Sequence, residues 1–214
     1  GPARGGGSGG AIRLQPMTLS GDGGIAAVGG DGNGTADGGG GGRIAIYFMT
    51  NLFSGTLSAC GGNGALAGGA GTIYLRDNSQ LTSLLLDNCG RLGANTPLST
   101  SFGLATNISV GSGAIAEFQG AIPVISNLTI NSGSWVVSHS SDTNLYLALL
   151  GNLSVSTNAG ISVDAKGAAR AGGTGAGSTL NLQGAGGSYG GFGGDAASGA
   201  FSGPSYGSAT MPVD

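Results

Sequence analysis

Three stretches of the chain repeat one apolar pattern at matched distances, and this restricts the fold more than any other feature. The first runs Ala11-Ile12-Arg13-Leu14, then Leu19-Ser20-Gly21, then Ile25-Ala26-Ala27-Val28. The second runs Arg43-Ile44-Ala45-Ile46-Tyr47, Phe53-Ser54-Gly55 and Leu57-Ser58-Ala59-Cys60; the third runs Thr72-Ile73-Tyr74-Leu75-Arg76, Leu81-Thr82-Ser83 and Leu86-Asp87-Asn88-Cys89. Ile12 to Ile44 and Ile25 to Leu57 are both 32 positions apart, whereas Ile44 to Ile73, Leu57 to Leu86 and Cys60 to Cys89 are all 29. Shared offsets at separate places are the mark of a structural repeat. Ile44/Ile46 and Ile73/Leu75 alternate with period two, which places one side-chain set inward and the other outward on a strand. No segment carries a 3.6-residue period, so almost no helix is expected.

The middle of the chain repeats differently. Asn107-Ile108-Ser109-Val110 is followed by Gly113-Ala114-Ile115-Ala116-Glu117-Phe118. Asn127-Leu128-Thr129-Ile130 is followed by Gly133-Ser134-Trp135-Val136-Val137, and Asn152-Leu153-Ser154-Val155 by Gly160-Ile161-Ser162-Val163. Short strands and turns repeating every 20 to 32 residues fit an all-β fold, a glycine-rich parallel β-solenoid (β-helix). A β-sandwich or jelly roll also has many short strands, but it does not require equal offsets. The expected organisation is one continuous solenoid over 1–214. It has glycine-rich coils at 1–76, strand-rich coils with Asn-x-Ser/Thr repeats at 77–166, and a glycine-rich closing segment at 167–214.

Between the strands lie runs with few side chains able to form a core, at 20–42, 61–71 and 167–200. Glycine makes up 49 of the 214 residues, about three times ordinary usage. Extended polyglycine or polyproline II-like segments that hydrogen-bond to one another would order these runs. Composition also removes several function classes. Seven basic residues against ten acidic ones, a net charge of −3, give no basic surface for nucleic acid. No window approaches the 18 or so apolar residues of a membrane-spanning helix. Hydrophobic residues at 39% argue against ordinary disorder, and a strict Gly-X-Y period is absent, which excludes collagen. The chain opens Gly1-Pro2-Ala3-Arg4 without an initiator methionine, which reads as a processed product or a piece of something longer.

Cys60 and Cys89 are the only cysteines and hold the same repeat position. Stacked Cα atoms about 4.8 Å apart lie within disulfide reach. A Cys60–Cys89 bridge is therefore expected, and with it an oxidising compartment.

The pattern Gly-Gly-Arg-Ile-Ala-Ile-Tyr (41–47), Phe-Ser-Gly-Thr-Leu-Ser-Ala (53–59) and Gly-Gly-Ala-Gly-Thr-Ile-Tyr-Leu (68–75) resembles the glycine-rich β-strand repeats of very large secreted microbial surface proteins. Gly186-Gly187-Ser188-Tyr189-Gly190-Gly191 and Tyr206-Gly207-Ser208 look like the same class. The resemblance covers about the first 90 and last 45 residues. It implies an extracellular or cell-surface array and brings no catalytic residues with it.

Four Asn-x-Ser/Thr triplets begin at Asn33, Asn107, Asn127 and Asn152, and each is a candidate site for a covalently attached glycan. Three share one repeat position. Facing outward they would carry a row of glycans; facing inward they would form a hydrogen-bonded ladder. Alternation with Ile108, Leu128 and Leu153 favours outward. Gly29-Gly30-Asp31-Gly32-Asn33-Gly34 is similar to a calcium-binding repeat, but Gly34 stands where an aspartate is needed. Asp22, Asp31 and Asp37 read better as turn residues, and no metal or cofactor is expected. Arg76, Asp77 and Asp87 are the only carboxylate–base group that could serve a polysaccharide-cleaving site, and pairing or turn capping explains them better. The lone His139 sits in a polar turn, and formal Gly-x-Ser-x-Gly matches are expected by chance at this glycine content. Regular Thr-x-Thr rows, as ice binding would need, are absent. The chain is read as a non-enzyme.

The leading expectation is a structural subunit of an extracellular fibre or surface array. Uncapped solenoid ends carry unpaired strand edges and invite further copies of the same chain. The terminal stretches 1–10 and 184–214 are the expected contacts, with Gly1, Pro2, Arg4, Tyr206 and Pro212 as candidate residues. The alternative is a stalk or glycan-binding module of a large adhesin, with Trp135, Tyr146 and Tyr189 as a sugar platform; its place in a strand makes Trp135 read as core.

Overall fold

The computed structural model describes residues 2–98, 106–120, 124–168 and 172–212. It is all-β, with no helix among the described residues. The chain divides into two compact units, Gly1–His139 with Leu147–Ser162, and Ser140–Tyr146 with Val163–Asp214.

The first unit begins with two matching triplets of strands. β1 (Ala11–Leu14), β2 (Thr18–Gly21) and β3 (Gly24–Ala26) are followed by β4 (Arg43–Tyr47), β5 (Thr50–Phe53) and β6 (Thr56–Ser58). Each member pairs in parallel with its counterpart, Ile12 on Ile44, Thr18 on Thr50 and Ile25 on Leu57. The register reproduces the 32-residue offset because a one-residue slip would turn Ile44 and Ile46, both essentially buried, out to solvent. β7 (Thr72–Arg76) continues the ladder in parallel with Ile73 on Ile44, at the 29-residue offset.

The third repeat then departs from the expected stacking. β8 (Thr82–Asp87) turns back on β7 in antiparallel pairing, with Ile73 opposite Leu85. Only residues 77–81 join the two strands, too few for a crossover between parallel neighbours. Asp77 closes this turn: its Oδ1 accepts from the Leu81 N–H at 2.9 Å and the Ser79 hydroxyl at 2.7 Å, and Gln80 takes a φ of 67°. Leu86 therefore does not stack on Leu57. The main sheet is mixed, not parallel throughout.

After β9 (Asn95–Leu98), β10 (Thr106–Gly111), β11 (Ile115–Phe118), β12 (Ile125–Ile130), β13 (Trp135–Ser138), β14 (Leu153–Val155) and β15 (Gly160–Ser162) build two parallel ladders. The seven-stranded sheet runs β1-β4-β7-β8-β10-β12-β14 and the four-stranded one β15-β13-β11-β9. Ile108, Leu128 and Leu153 share one row, and Ile115, Trp135 and Gly160 another. Alternate residues are buried: Ile108 and Val110 on β10, Leu128 and Ile130 on β12, Ala116 and Phe118 on β11. The turn from β10 to β11 passes through Ser112 and Gly113 at positive φ, where a Cβ on Gly113 would collide with the Arg91 carbonyl.

The glycine-rich runs of this unit are ordered without being strand or helix. Residues 5–10, 37–42 and 66–71 lead into β1, β4 and β7; residues 27–32 and 59–64 return from β3 and β6. Gly6 and Gly9 donate to the carbonyls of Asp37 and Gly40, and Gly38 and Gly41 donate to Leu66 and Gly69, all at 2.9 Å. Gly39 and Gly42 donate to Gly30 and Ala27, while Gly68 and Gly71 donate to Gly62 and Ala59. Gly29 and Gly32 donate to Cys60 and Asn63. Donors three apart share one neighbour each time, so the backbone presents the same direction every third residue. Strands closing on each other this tightly leave no room for side chains: a Cβ on Gly39, Gly42, Gly62, Gly68 or Gly71 would overlap a neighbouring carbonyl.

In the second unit the strands are β16 (Thr179–Leu180) and β17 (Gln183–Gly184), an antiparallel pair. Tyr189 and Tyr206 pack edge to face with ring centroids 4.9 Å apart. The Ser188 hydroxyl donates to the Gly203 carbonyl and accepts from the Gly193 N–H at 2.9 Å.

Candidate assembly interface

The glycine layer is closed at one end by side chains. Asn88, fully buried at the end of β8, accepts the Gly61 N–H on Oδ1 at 2.8 Å and donates from Nδ2 to the carbonyls of Gly68 (3.1 Å) and Arg91 (2.8 Å). Arg91 Nη1 donates to the Gly61 carbonyl at 2.9 Å. One repeat earlier, Gly29 gives its N–H to the Cys60 carbonyl. The Asn88 amide thus stands where the next backbone carbonyl would be. Beside it Cys60 and Cys89 form a disulfide with Cα atoms 5.8 Å apart, as the shared repeat position predicts, although Leu86 lies in a different sheet from Leu57. Asp87 lies against the bridge, but both cysteines are taken up by it. Its Oδ1 accepts the Cys89 N–H and its Oδ2 the Ser112 hydroxyl, which makes it a turn residue instead of a metal ligand.

The opposite margin of the layer, residues 5–10, has no such closure. The Arg4 N–H donates to Asn33 Oδ1 at 2.6 Å and its carbonyl accepts the Asn33 N–H at 3.1 Å. Pro2 and Arg4 are exposed; Gly1 lies outside the described residues. In the other unit, Pro212 is exposed and Tyr206 half-buried against Tyr189.

The strand stacks also end openly. β1 and β14 are the terminal strands of the large sheet. Leu128 and Ile130 on β12 are 0% exposed, while Leu153 and Val155, their partners on β14, are 50% and 45% exposed. In the smaller sheet Val136 is 0% exposed and Ile161 on the terminal β15 is 40%. Repetition alone does not reveal this difference, since all three rows share one apolar pattern.

Three of the asparagine triplets fall in one row, as their spacing predicts. The asparagines are hydrogen-bonded to each other: Asn127 Nδ2 donates to Asn107 Oδ1 at 2.8 Å, and the Asn152 N–H donates to Asn127 Oδ1 at 2.7 Å. Asn107 and Asn127 are half-buried; Asn152 and Asn33 are exposed. Alternation placed these side chains outward from the core, but it missed the ladder, which forms along the outer row.

Trp135 is 38% exposed, not core as its strand position suggested. It faces out from β13 because Val136, its neighbour, takes the inward position, and its ring lies over Gly160, where a Cβ would collide with it. Tyr146, in the second unit, is exposed. Glu117 accepts from Asn95 Nδ2 and lies 3.6 Å from His139. Asp31 and Asp37 accept the N–H groups of Asn63 and Leu66 one repeat on, so their carboxylates serve backbone donors. On the outer face of the first ladder Arg13 covers the Tyr47 ring at 5.3 Å, and Tyr47 meets Tyr74 at 5.8 Å. Burial raises the Tyr74 hydroxyl above its ordinary pKa, against the opposing pull of Arg76. No helix among the described residues is long and apolar enough to cross a membrane.

No protein-family model, curated protein or solved structure matches the chain.

Proposed function

We propose that this chain is a structural subunit of an extracellular fibre or cell-surface array, built on parallel solenoid coils whose glycine runs pack as polyglycine II-like strands, and joined to further copies through its ends. The observation that carries this reading is the opening of the core rows at β14 and β15. Residues that are fully buried one row earlier recur there as Leu153, Val155 and Ile161 with about half their surface in water. Strand edges with exposed apolar rows are templates for pairing. A disulfide and the low charge suit an oxidising exterior. The chain carries no basic surface for nucleic acid.

The test is electron microscopy and sedimentation of the purified chain beside a Leu153→Lys/Val155→Asp variant. Both positions are half-exposed, so the variant loses about 1 kcal/mol per site as a monomer, too little to unfold a typical domain. The wild type forms ordered polymers and the variant does not; polymers unaffected by both charges would remove β14 as a contact.

The exposed Trp135 ring over Gly160 favours one alternative, a stalk or glycan-binding module. Glycan-array binding that disappears in Trp135→Ala, by a chain that forms no polymers, would select it.

A further inference from the structure

The glycine layer contains residues whose lack of a side chain nothing among the described residues requires. Gly7, Gly39 and Gly68 occupy one column, and Gly10, Gly42 and Gly71 another, as the pairing of Arg43 with Ala11 and of Thr72 with Arg43 dictates. Within each column the reason for glycine is the same. A Cβ on Gly39 would strike the Gly7 carbonyl and one on Gly68 the Gly39 carbonyl; likewise Gly42 abuts Gly10, and Gly71 abuts Gly42. At the margin the reason is missing, because a Cβ on Gly7 or Gly10 would meet nothing within 4 Å.

The hydrogen bonds of the margin are incomplete in the same register. Gly39 and Gly42 give their N–H groups to Gly30 and Ala27, and Gly68 and Gly71 give theirs to Gly62 and Ala59. The equivalent N–H groups of Gly7 and Gly10 have no partner among the described residues. The carbonyls of Asp37 and Gly40 accept from Gly6 and Gly9, and those of Leu66 and Gly69 from Gly38 and Gly41, whereas the equivalent carbonyls of Gly5 and Ser8 accept nothing. Two donors and two acceptors, each pair spaced by three residues, therefore lie at this exposed margin with room beside them for bare backbone; in the register of the layer the donors face the place of a returning run and the acceptors that of a leading run.

We propose that the edge formed by residues 5–10 binds extended glycine-rich backbone of a second copy of this chain, one run meeting the donors and another the acceptors, which continues the glycine layer across the contact between copies. This deepens the assembly reading above and rests on it. The neighbour is identified by what is missing: backbone carbonyls close to Gly7 and Gly10, amides within reach of Gly5 and Ser8, and no bulky side chains between them. A second copy carries such backbone. Its own glycine-rich runs include exposed Gly190, beside which a Cβ would meet nothing.

Sedimentation velocity and electron microscopy of wild type, Gly7→Val/Gly10→Val and Gly10→Ala test this edge. Neither glycine has a left-handed φ, so the variants retain the wild-type melting temperature and circular dichroism. The double variant's assembly constant falls at least about tenfold and that of Gly10→Ala falls less. A double variant that assembles like wild type overturns the glycine edge and leaves the β14 contact standing. A double variant that unfolds also overturns it, since the edge would then already be covered within the chain. A wild type monomeric at every concentration overturns both readings.

Discussion

Asn88 shows how much one side chain carries in a protein packed through its backbone. Its amide makes three hydrogen bonds in a fully buried position, all to backbone groups. Asn88→Ala leaves the Gly61 N–H and the Gly68 carbonyl without these bonds, at about 1–3 kcal/mol for each buried group unpaired. The expected result is a fall in denaturant midpoint with an unchanged slope, whereas replacing a surface asparagine would change stability by less than about 0.5 kcal/mol. The ladder asparagines permit a second test. A glycan attaches through Nδ2, and in Asn127 that atom is committed to Asn107 while Oδ1 holds the Asn152 N–H. Peptide mapping of the chain secreted from a glycosylating host is expected to find Asn127 bare and glycans confined to the exposed Asn33 and Asn152. A glycan on folded material at Asn127 would contradict the ladder. The triplets themselves were legible in the sequence, but the ladder was not: period-two alternation tells inward from outward and says nothing of whether outward neighbours bond to one another.

At the scale of elements, the disulfide joins two structures that the repeat treats as equivalent and the fold treats differently. Cys60 belongs to a returning glycine segment, and Cys89 to the turn after β8, a strand of the large sheet. Closing 29 residues of chain contributes about 3–4 kcal/mol in the chain-entropy model. Reduction, or a Cys60→Ser/Cys89→Ser variant, is expected to lower stability by that order. Hydrogen exchange should rise first at Gly61, whose N–H the neighbouring Asn88 accepts, and at Gly68, whose carbonyl accepts from Asn88. Uniform loss of protection across β10–β13 would place the bridge's effect elsewhere. The ladders were readable at this scale because equal offsets become register once alternate residues are buried. The reversal at β8 was not, because residues 77–81 resemble a repeat turn in composition. What makes them a hairpin is the way Asp77 gathers the N–H of Leu81 and the hydroxyl of Ser79.

For the whole molecule, the two margins of the first unit differ in kind. At one, Asn88, Arg91 and the disulfide replace a missing strand with side chains; at the other, residues 5–10 leave backbone donors and acceptors in register with no partner among the described residues. In the proposed assembly such a difference would set a direction, since a heterologous contact whose rotation does not close yields a filament. On that proposal the exposed rows on β14 and β15 would supply apolar area, and the glycine edge specificity through its three-residue spacing. The sequence by itself determined most strands of the first unit, the register of its parallel ladders at 32, 29, 20 and 25 residues, the cysteine pairing and the need for close backbone approach, because alternation and the absence of a Cβ act locally. Only the tertiary structure decided that β8 reverses, that Trp135 faces out, that Asn88 ends the glycine layer, and which glycines have no neighbour. Those outcomes depend on which backbone groups and apolar rows remain unpaired after every segment has stacked, and no local pattern records that remainder.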